Sequence, residues 1–294
     1  MNNFKGILLM LIAMAGFTME DLFMKKLSVN LSTGQILITF GIGSSLAFAI
    51  MAKIKGYNLT SKVFWTKGMV IRQFAEGIAA VAFITALTLI PLSTVAAVFQ
   101  ATPLVLTMGA AFFLGETVGW RRWLAIIIGL IGVLIIIRPG MDSFDPNVSF
   151  VLIAVLFVTI RDLITRKLPS NVPSTIVSFQ AFLSLIFAGG LLTTLDAQKF
   201  VSLVDYQVYY IIGGVIFGVI GYYCIVAATR IGEAGVVTPF RYSRLLFAII
   251  IGYFVFNERP DILTLFGASI VIMTGIYTVW RERYLARKLR ANLN

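Results

Sequence analysis

Two arginines three residues apart, Arg241 and Arg244, stand well inside a long apolar run, between Val236-Val237 and the stretch 245–256. A guanidinium stays charged in proteins, and its planar fork matches a carboxylate or a phosphate. A spacing of three puts both on one face of a helix. Such a pair can capture an anionic group where water is scarce. The alternative is internal: each arginine neutralises a buried acid and holds helices together. Tyr242 adds a phenol beside them, about 100° away from Arg241 on a helix. Six more charged residues interrupt apolar runs: Glu20, Asp21, Arg72, Glu76, Arg161 and Asp162. The eight comprise four acids and four bases, so their charges cancel. Each costs about 2.5–3.5 kcal/mol to place at the centre of a membrane helix, so such residues face a wet cavity or one another. Arg72 and Glu76 are four apart and can pair along one helix. Glu76 lies deeper and is a candidate for substrate contact or for carrying a coupling proton. Glu20, Asp21, Arg161, Asp162 and Arg72 are read as gate or helix-pairing charges.

Other chemistries lack their residues. There is no histidine, so the commonest metal ligand and the usual near-neutral proton carrier are missing. The single cysteine, Cys224, sits in an apolar run and permits no disulfide framework. Phosphate-binding loops, zinc-protease motifs and serine elbows are not found. The expectation is a chain that is not an enzyme, with no metal, no cofactor and no direct use of ATP. Membrane aspartyl chemistry needs two aspartates together, whereas Asp21 and Asp162 are expected at opposite depths.

The elements that carry these charges follow from composition. Of 294 residues, 59% are hydrophobic and 13% charged, too little polar surface to cover a water-soluble domain. Runs such as 124–137 lack the period-two alternation of a membrane β-barrel strand. About ten runs approach the ~20 residues a spanning helix needs: 5–24, 34–51, 69–89, 93–114, 122–138, 148–165, 174–195, 206–229, 235–256 and 263–280. Stretch 5–23 resembles a signal peptide, but Glu20-Asp21 falls where cleavage is expected, so it reads as a retained first helix. Ten spans put both termini on one face. That face collects 15 Lys and Arg: Lys5, Lys53, Lys55, Lys62, Lys67, Arg121, Arg122, Arg166, Lys167, Arg230, Arg281, Arg283, Arg287, Lys288 and Arg290. The other face holds 5: Lys25, Lys26, Arg138, Lys199 and Arg259. This bias places both termini in the cytoplasm and the chain in an inner (cytoplasmic) membrane. Trp65, Trp120, Trp123 and Trp280 fall at cytoplasmic helix ends, where indoles favour the interface. The net charge of +11 therefore marks a lipid bilayer, not nucleic acid, as partner.

The halves repeat at an offset of 141 to 142. Asp21-Leu22 and Lys25-Lys26-Leu27 align with Asp162-Leu163 and Arg166-Lys167-Leu168; Phe113-Leu114-Gly115-Glu116 aligns with Val255-Phe256-Asn257-Glu258. After one inserted residue, Gly132 matches Gly275 and Arg138 matches Arg281. Five spans per half is an odd number, so the second half enters from the opposite side. The fold expected is an all-α membrane protein of ten transmembrane helices in two inverted five-helix repeats around a central cavity. The repeats are 1–140 and 141–282, with a basic cytoplasmic tail at 283–294. Phe99, Gln100 and Thr102 take the places of Arg241, Tyr242 and Arg244, and so face them across a pseudo-twofold axis. Pro103 loosens the helix there. Gly214 and Gly218, four apart, suit close helix packing.

The ordered set Leu89-Ile90-Pro91-Leu92-Ser93-Thr94-Val95-Ala96-Ala97-Val98, Thr102-Pro103-Leu104, Phe113-Leu114-Gly115-Glu116, Arg122-Trp123-Leu124 and Gly129-Leu130-Ile131-Gly132-Val133-Leu134 resembles an EamA-type domain. Gly232-Glu233-Ala234-Gly235-Val236-Val237 and Asn257-Glu258-Arg259-Pro260 repeat it more loosely. The resemblance covers nearly the whole chain. It implies a ten-helix carrier of the drug/metabolite transporter superfamily that works by alternating access. The function expected is secondary transport of a small organic metabolite with an anionic or zwitterionic group and a planar or apolar part. The alternative is a flippase for a lipid-linked substrate, or a subunit of one. Arg241, Arg244, Tyr242, Phe99, Gln100 and Glu76 are the expected substrate contacts. Protons or no coupling ion at all, and a monomer or a homodimer, fit equally.

Overall fold

The computed structural model describes residues 3–61, 64–116, 118–141, 143–168, 172–195, 200–231 and 234–291. Lys62, Lys199, Gly232 and Glu233 lie outside the described residues, as do the side chains of Arg230, Ala234, Gly235, Arg283, Arg287, Lys288 and Arg290. The described residues form helices α1 Asn3–Leu27, α2 Thr33–Ile54, α3 Lys67–Leu89, α4 Leu92–Phe99, α5 Thr102–Leu114, α6 Trp120–Ile137, α7 Val148–Arg166, α8 Ser174–Leu195, α9 Asp205–Ile231, α10 Ala234–Val237, α11 Ser243–Phe256 and α12 Ile262–Ala291. Ten segments among them are long and apolar enough to cross a membrane. The fourth crossing is α4 plus α5, and the ninth ends in α11. Large apolar side chains such as Phe74, Phe113, Leu191 and Phe254 point outward and are 62–77% exposed, the surface a chain presents to lipid. The eight charged residues of the apolar runs are buried or half-buried instead. Ser32 and Thr66 cap α2 and α3 through their hydroxyls, at 3.2 and 3.4 Å.

The repeat is visible in matched turns. Gly115 ends α5 at φ 67°, and Asn257 ends α11 at φ 52°, each in the left-handed region. Glycine and asparagine are the residues that close a helix this way. In both turns the next residue, a glutamate, donates its backbone N–H back to the helix: Glu116 to the Ala110 carbonyl at 3.2 Å, Glu258 to that of Gly252 at 2.9 Å. Packing repeats too. Helix α1 packs on α9, and the equivalent α7 packs on α3; α2 meets α8, and α6 meets α12, across the axis. Both axial contacts are tight at glycines. A Cβ on Gly189 would come within 2.6 Å of the Gly34 carbonyl, and one on Gly267 within 2.6 Å of that of Gly132. The expectation for Gly214 and Gly218 is corrected in kind: they receive side chains, not a helix backbone. A Cβ there would strike the Phe40 ring at 2.4 Å and the Glu20 carboxyl at 2.5 Å.

The regular α-helix is interrupted in both the fourth and the ninth crossing. Pro103 has no N–H for the Phe99 carbonyl, which instead accepts from the Thr102 hydroxyl at 2.6 Å. Pro239 starts a tighter 3-10 turn, Thr238–Tyr242, before α11 resumes. The breaks meet: the Gln100 side-chain amide donates to the Tyr242 carbonyl at 3.2 Å, and the two residues are 142 positions apart. Equivalent residues can touch only where the pseudo-twofold axis passes, so the axis runs between the breaks. At the face away from the termini, the Arg138 guanidinium donates to Asp261, whose carboxylate also accepts from the Thr264 N–H at 2.8 Å and caps α12. The Arg138 bond holds that carboxyl down to about 2. Because the pKa is depressed, the contact contributes at neutral pH and is lost only as pH falls through that value.

Candidate functional site

Around the axis the eight intramembrane charges sort into two groups. Nearer the terminal face, Arg161 on α7 donates to Glu76 on α3 at 2.8 Å and to Asp162 at 2.9 Å. Arg72 reaches the other Glu76 oxygen at 3.3 Å and donates to the Thr165 hydroxyl at 2.9 Å. Arg72 is buried, with Nη1 unpartnered. Glu76 thus sits between two cations, which makes it a neutralised network member rather than an open acid. The network is not sealed: the side chains of Arg161, Asp162 and Glu76 keep 23%, 27% and 14% of their surface accessible.

Nearer the other face, Arg244 donates to both oxygens of Asp21, at 2.9 and 2.7 Å. Its guanidinium carbon lies 5.6 Å from the Phe17 ring centre and 5.5 Å from those of Phe83 and Phe99. Arg244 is therefore held by a carboxylate and three aromatic faces. Glu20 is buried beside this pair and makes no ion pair or hydrogen bond among the described residues. By the repeat it occupies the place of Arg161, and Gly218 occupies that of Glu76; a cross-helix ion pair in one half is a carboxyl against a glycine in the other.

Arg241 and Arg244 have different partners. Arg241 lies in the 3-10 turn and Arg244 in the first turn of α11, three residues further along continuously helical backbone. Arg241 has as electrostatic neighbours Asp162, Arg161, Tyr242 and Arg244, yet makes no hydrogen bond or ion pair among the described residues. It is part-exposed. Among the described residues this guanidinium alone of the four in the core has no bonded partner. Tyr242 departs from its expected place. Its ring is buried against Gly275, where a Cβ would overlap its hydroxyl, and that hydroxyl has no hydrogen-bond partner. What Tyr242 offers the axis is its backbone carbonyl. Gln100 is buried and committed to that carbonyl, and Phe99 turns its ring to Arg244.

Sequence reasoning missed Phe17 and Phe83. Phe17 lies one helical turn before Asp21, a local signal; Phe83 has none, because α3 is brought to it only by the fold. It also missed an ion pair at the end of this group away from the termini. The Glu258 carboxylate accepts from the N–H groups of Leu92 and Ser93 at 2.7 and 2.9 Å, capping α4, and meets Lys25 at 3.3 Å. The equivalent pair at the terminal face, Glu116 and Arg166 at 3.0 Å, is far more open, at 42% and 46% exposed. Two open hollows, of about 350 and 410 Å³, lie elsewhere, at Lys53 and Tyr57 and at Trp120 and Tyr277.

A model of the EamA-like transporter family matches residues 4–138 and, a second time, 146–281. An S-adenosylmethionine uptake transporter of Rickettsia prowazekii is 26% identical over 287 residues, covering 95% of this chain and 93% of the relative. The one of Rickettsia conorii is 26% identical over 204 residues, 67% of this chain and 66% of its own length. A riboflavin transporter of Vibrio cholerae is 27% identical over 201 residues, 65% and 64% of the two chains. A solved crystal structure superimposes with a TM-score of 0.62 over 91% of this chain and 97% of the other, at 17% identity, which shows the fold alone. Two successive matches to one family model, an all-helical chain with ten membrane-crossing segments and relatives that are small-molecule transporters agree: this chain belongs to the EamA-like transporter family.

Proposed function

We propose that this protein is a secondary transporter of the inner membrane that binds its substrate at the crossing of the two broken helices, with Arg241 as the anchor for a carboxylate. The observation that carries this reading is the unpartnered guanidinium of Arg241. Every other core arginine is engaged, and a charge left open in a membrane core is a functional residue by default. The substrate class follows from three features. One guanidinium selects an anionic group. The rings of Phe17, Phe83 and Phe99 suit a planar or cationic part. The relatives are named for S-adenosylmethionine and riboflavin, both small and heteroaromatic. S-adenosylmethionine, which has a carboxylate, is the first compound to try.

The units 1–140 and 141–282 rock about the axis so that the site opens to each side in turn. The concentration of Lys and Arg at one face supports cytoplasmic termini. The unequal latches support a state closed at the outer face: Lys25–Glu258 is sequestered, while Arg166–Glu116 is open to water. The test is accumulation of labelled S-adenosylmethionine by proteoliposomes carrying the purified chain. Uptake well above that of empty vesicles, saturating with concentration, is expected. If S-adenosylmethionine and riboflavin both enter no faster than in empty vesicles, this substrate assignment falls.

A further inference from the structure

We propose that the pocket holding the Arg244 guanidinium is a subsite for the cationic group of the substrate, a sulfonium or methylated ammonium, and that Arg244 occupies it as an internal stand-in until substrate arrives. The inference deepens the transporter reading and rests on it. Its geometry is that of a cation cage. Phe17, Phe83 and Phe99 present ring centres 5.5–5.6 Å from one positive carbon, within the ~6 Å at which a ring attracts a cation. Phe83 and Phe99 brace each other edge to face at 4.9 Å. The walls come from three helices, α1, α3 and α4, and the occupant from a fourth, α11. Asp21, one turn from Phe17, supplies the counter-charge on the open side.

Rings of this kind suit alkylated onium groups, which lack N–H donors and shed water readily. Arg244 keeps 19% of its side chain accessible, so the pocket communicates with the wet centre. The cage exists in one half only. The repeat puts Val158 and Ile225 where Phe17 and Phe83 stand, and Arg241 itself where Phe99 stands. One half thus offers rings and a carboxylate, the other an open guanidinium. A zwitterion with its onium in the cage and its carboxylate toward Arg241 is complementary to both. A displaced Arg244 carries its charge back toward the site, where the substrate carboxylate and Glu20 lie within the same cluster.

The experiment measures binding to the full-length chain in detergent for two matched pairs: S-adenosylmethionine against S-adenosylhomocysteine, its uncharged thioether, and choline against its uncharged tert-butyl isostere. Wild-type protein is expected to bind the charged member of each pair that binds about tenfold or more tightly. In Phe83→Leu and Phe99→Leu, which keep apolar volume without the ring, the charged-to-neutral gap is expected to shrink several-fold, whatever the change in the neutral member's own affinity. Monodisperse elution and an unchanged melting temperature confirm that the variants fold. Equal binding of charged and neutral members, an undiminished gap in both variants, or no binding of either charged probe overturns the cage. Uptake failing while cation preference survives removes the transport assignment alone; uptake proceeding without cation preference removes the cage alone.

Discussion

Replacing Arg241 by alanine lowers the specific uptake rate at limiting substrate about 10- to 100-fold while leaving insertion and the melting temperature near wild type. A hydrogen bond to a charged group contributes about 1.5–3 kcal/mol, and that sets the range. The variant stays folded because Arg241 holds no acid that its loss would strand. Arg241→Lys keeps the charge but loses the two-pronged fork, so an intermediate rate is expected. The comparison with Arg244 is informative. Arg244→Ala strips Asp21 of its bidentate partner and leaves a buried carboxylate uncompensated, so both stability and transport fall. A variant at 241 that transports normally, or one that fails only because it no longer folds, removes the anchor role.

The largest effect on stability is expected at Arg161. Its guanidinium bonds Glu76 across helices and Asp162 on its own helix. Arg161→Met takes the bonded partner from both acids: Glu76 keeps Arg72 at 3.3 Å, and Asp162 keeps only the unbonded Arg241 guanidinium as a neighbour. Breaking a buried pair from one side costs about 3–5 kcal/mol, because the remaining charge is neither solvated nor paired. The accessible quarter of these side chains places the cost toward the lower end. Protein of this size shifts in melting temperature by about 2–4 °C per kcal/mol, so at about 3 kcal/mol a fall of roughly 6–12 °C is expected. Adding Asp162→Asn to Arg161→Met restores part of the loss, since one stranded charge is removed with its shape retained. Melting within about 2 °C of wild type would show that water satisfies both acids without the arginine.

The sequence carries the architecture because lipid imposes simple rules. A spanning helix must be about 20 apolar residues long, so the ten stretches read from hydropathy match the ten crossings to within a few residues. The repeat was legible in polar matches. The pairs Gly115/Asn257 and Glu116/Glu258 return in the structure as one turn built twice. Pairing was only half legible. Spacing alone finds Arg72 with Glu76, because four residues is a helical turn. It cannot find Arg244 with Asp21, 223 positions apart, or Arg161 with Glu76, which depend on which helices become neighbours. Local reasoning could not say what each arginine would meet. Three residues apart on helical backbone, Arg241 and Arg244 have different partners, and Tyr242 between them fills the niche at Gly275. The aromatic cage was invisible for the same reason as the long-range pairs, since its three rings share no period.

Arg241→Cys in a Cys224→Ser background brings the account to one measurement, because that chain holds no other thiol. The variant is inactive as made. Treatment with a water-borne thiol reagent that attaches an ethylammonium group restores a substantial part of uptake, a reagent of similar size that attaches a sulfonate does not, and saturating substrate slows both reactions. A thiol at 241 that no aqueous reagent reaches, or uptake restored equally by both charges, would contradict a wet, carboxylate-binding site at the crossing of the two broken helices.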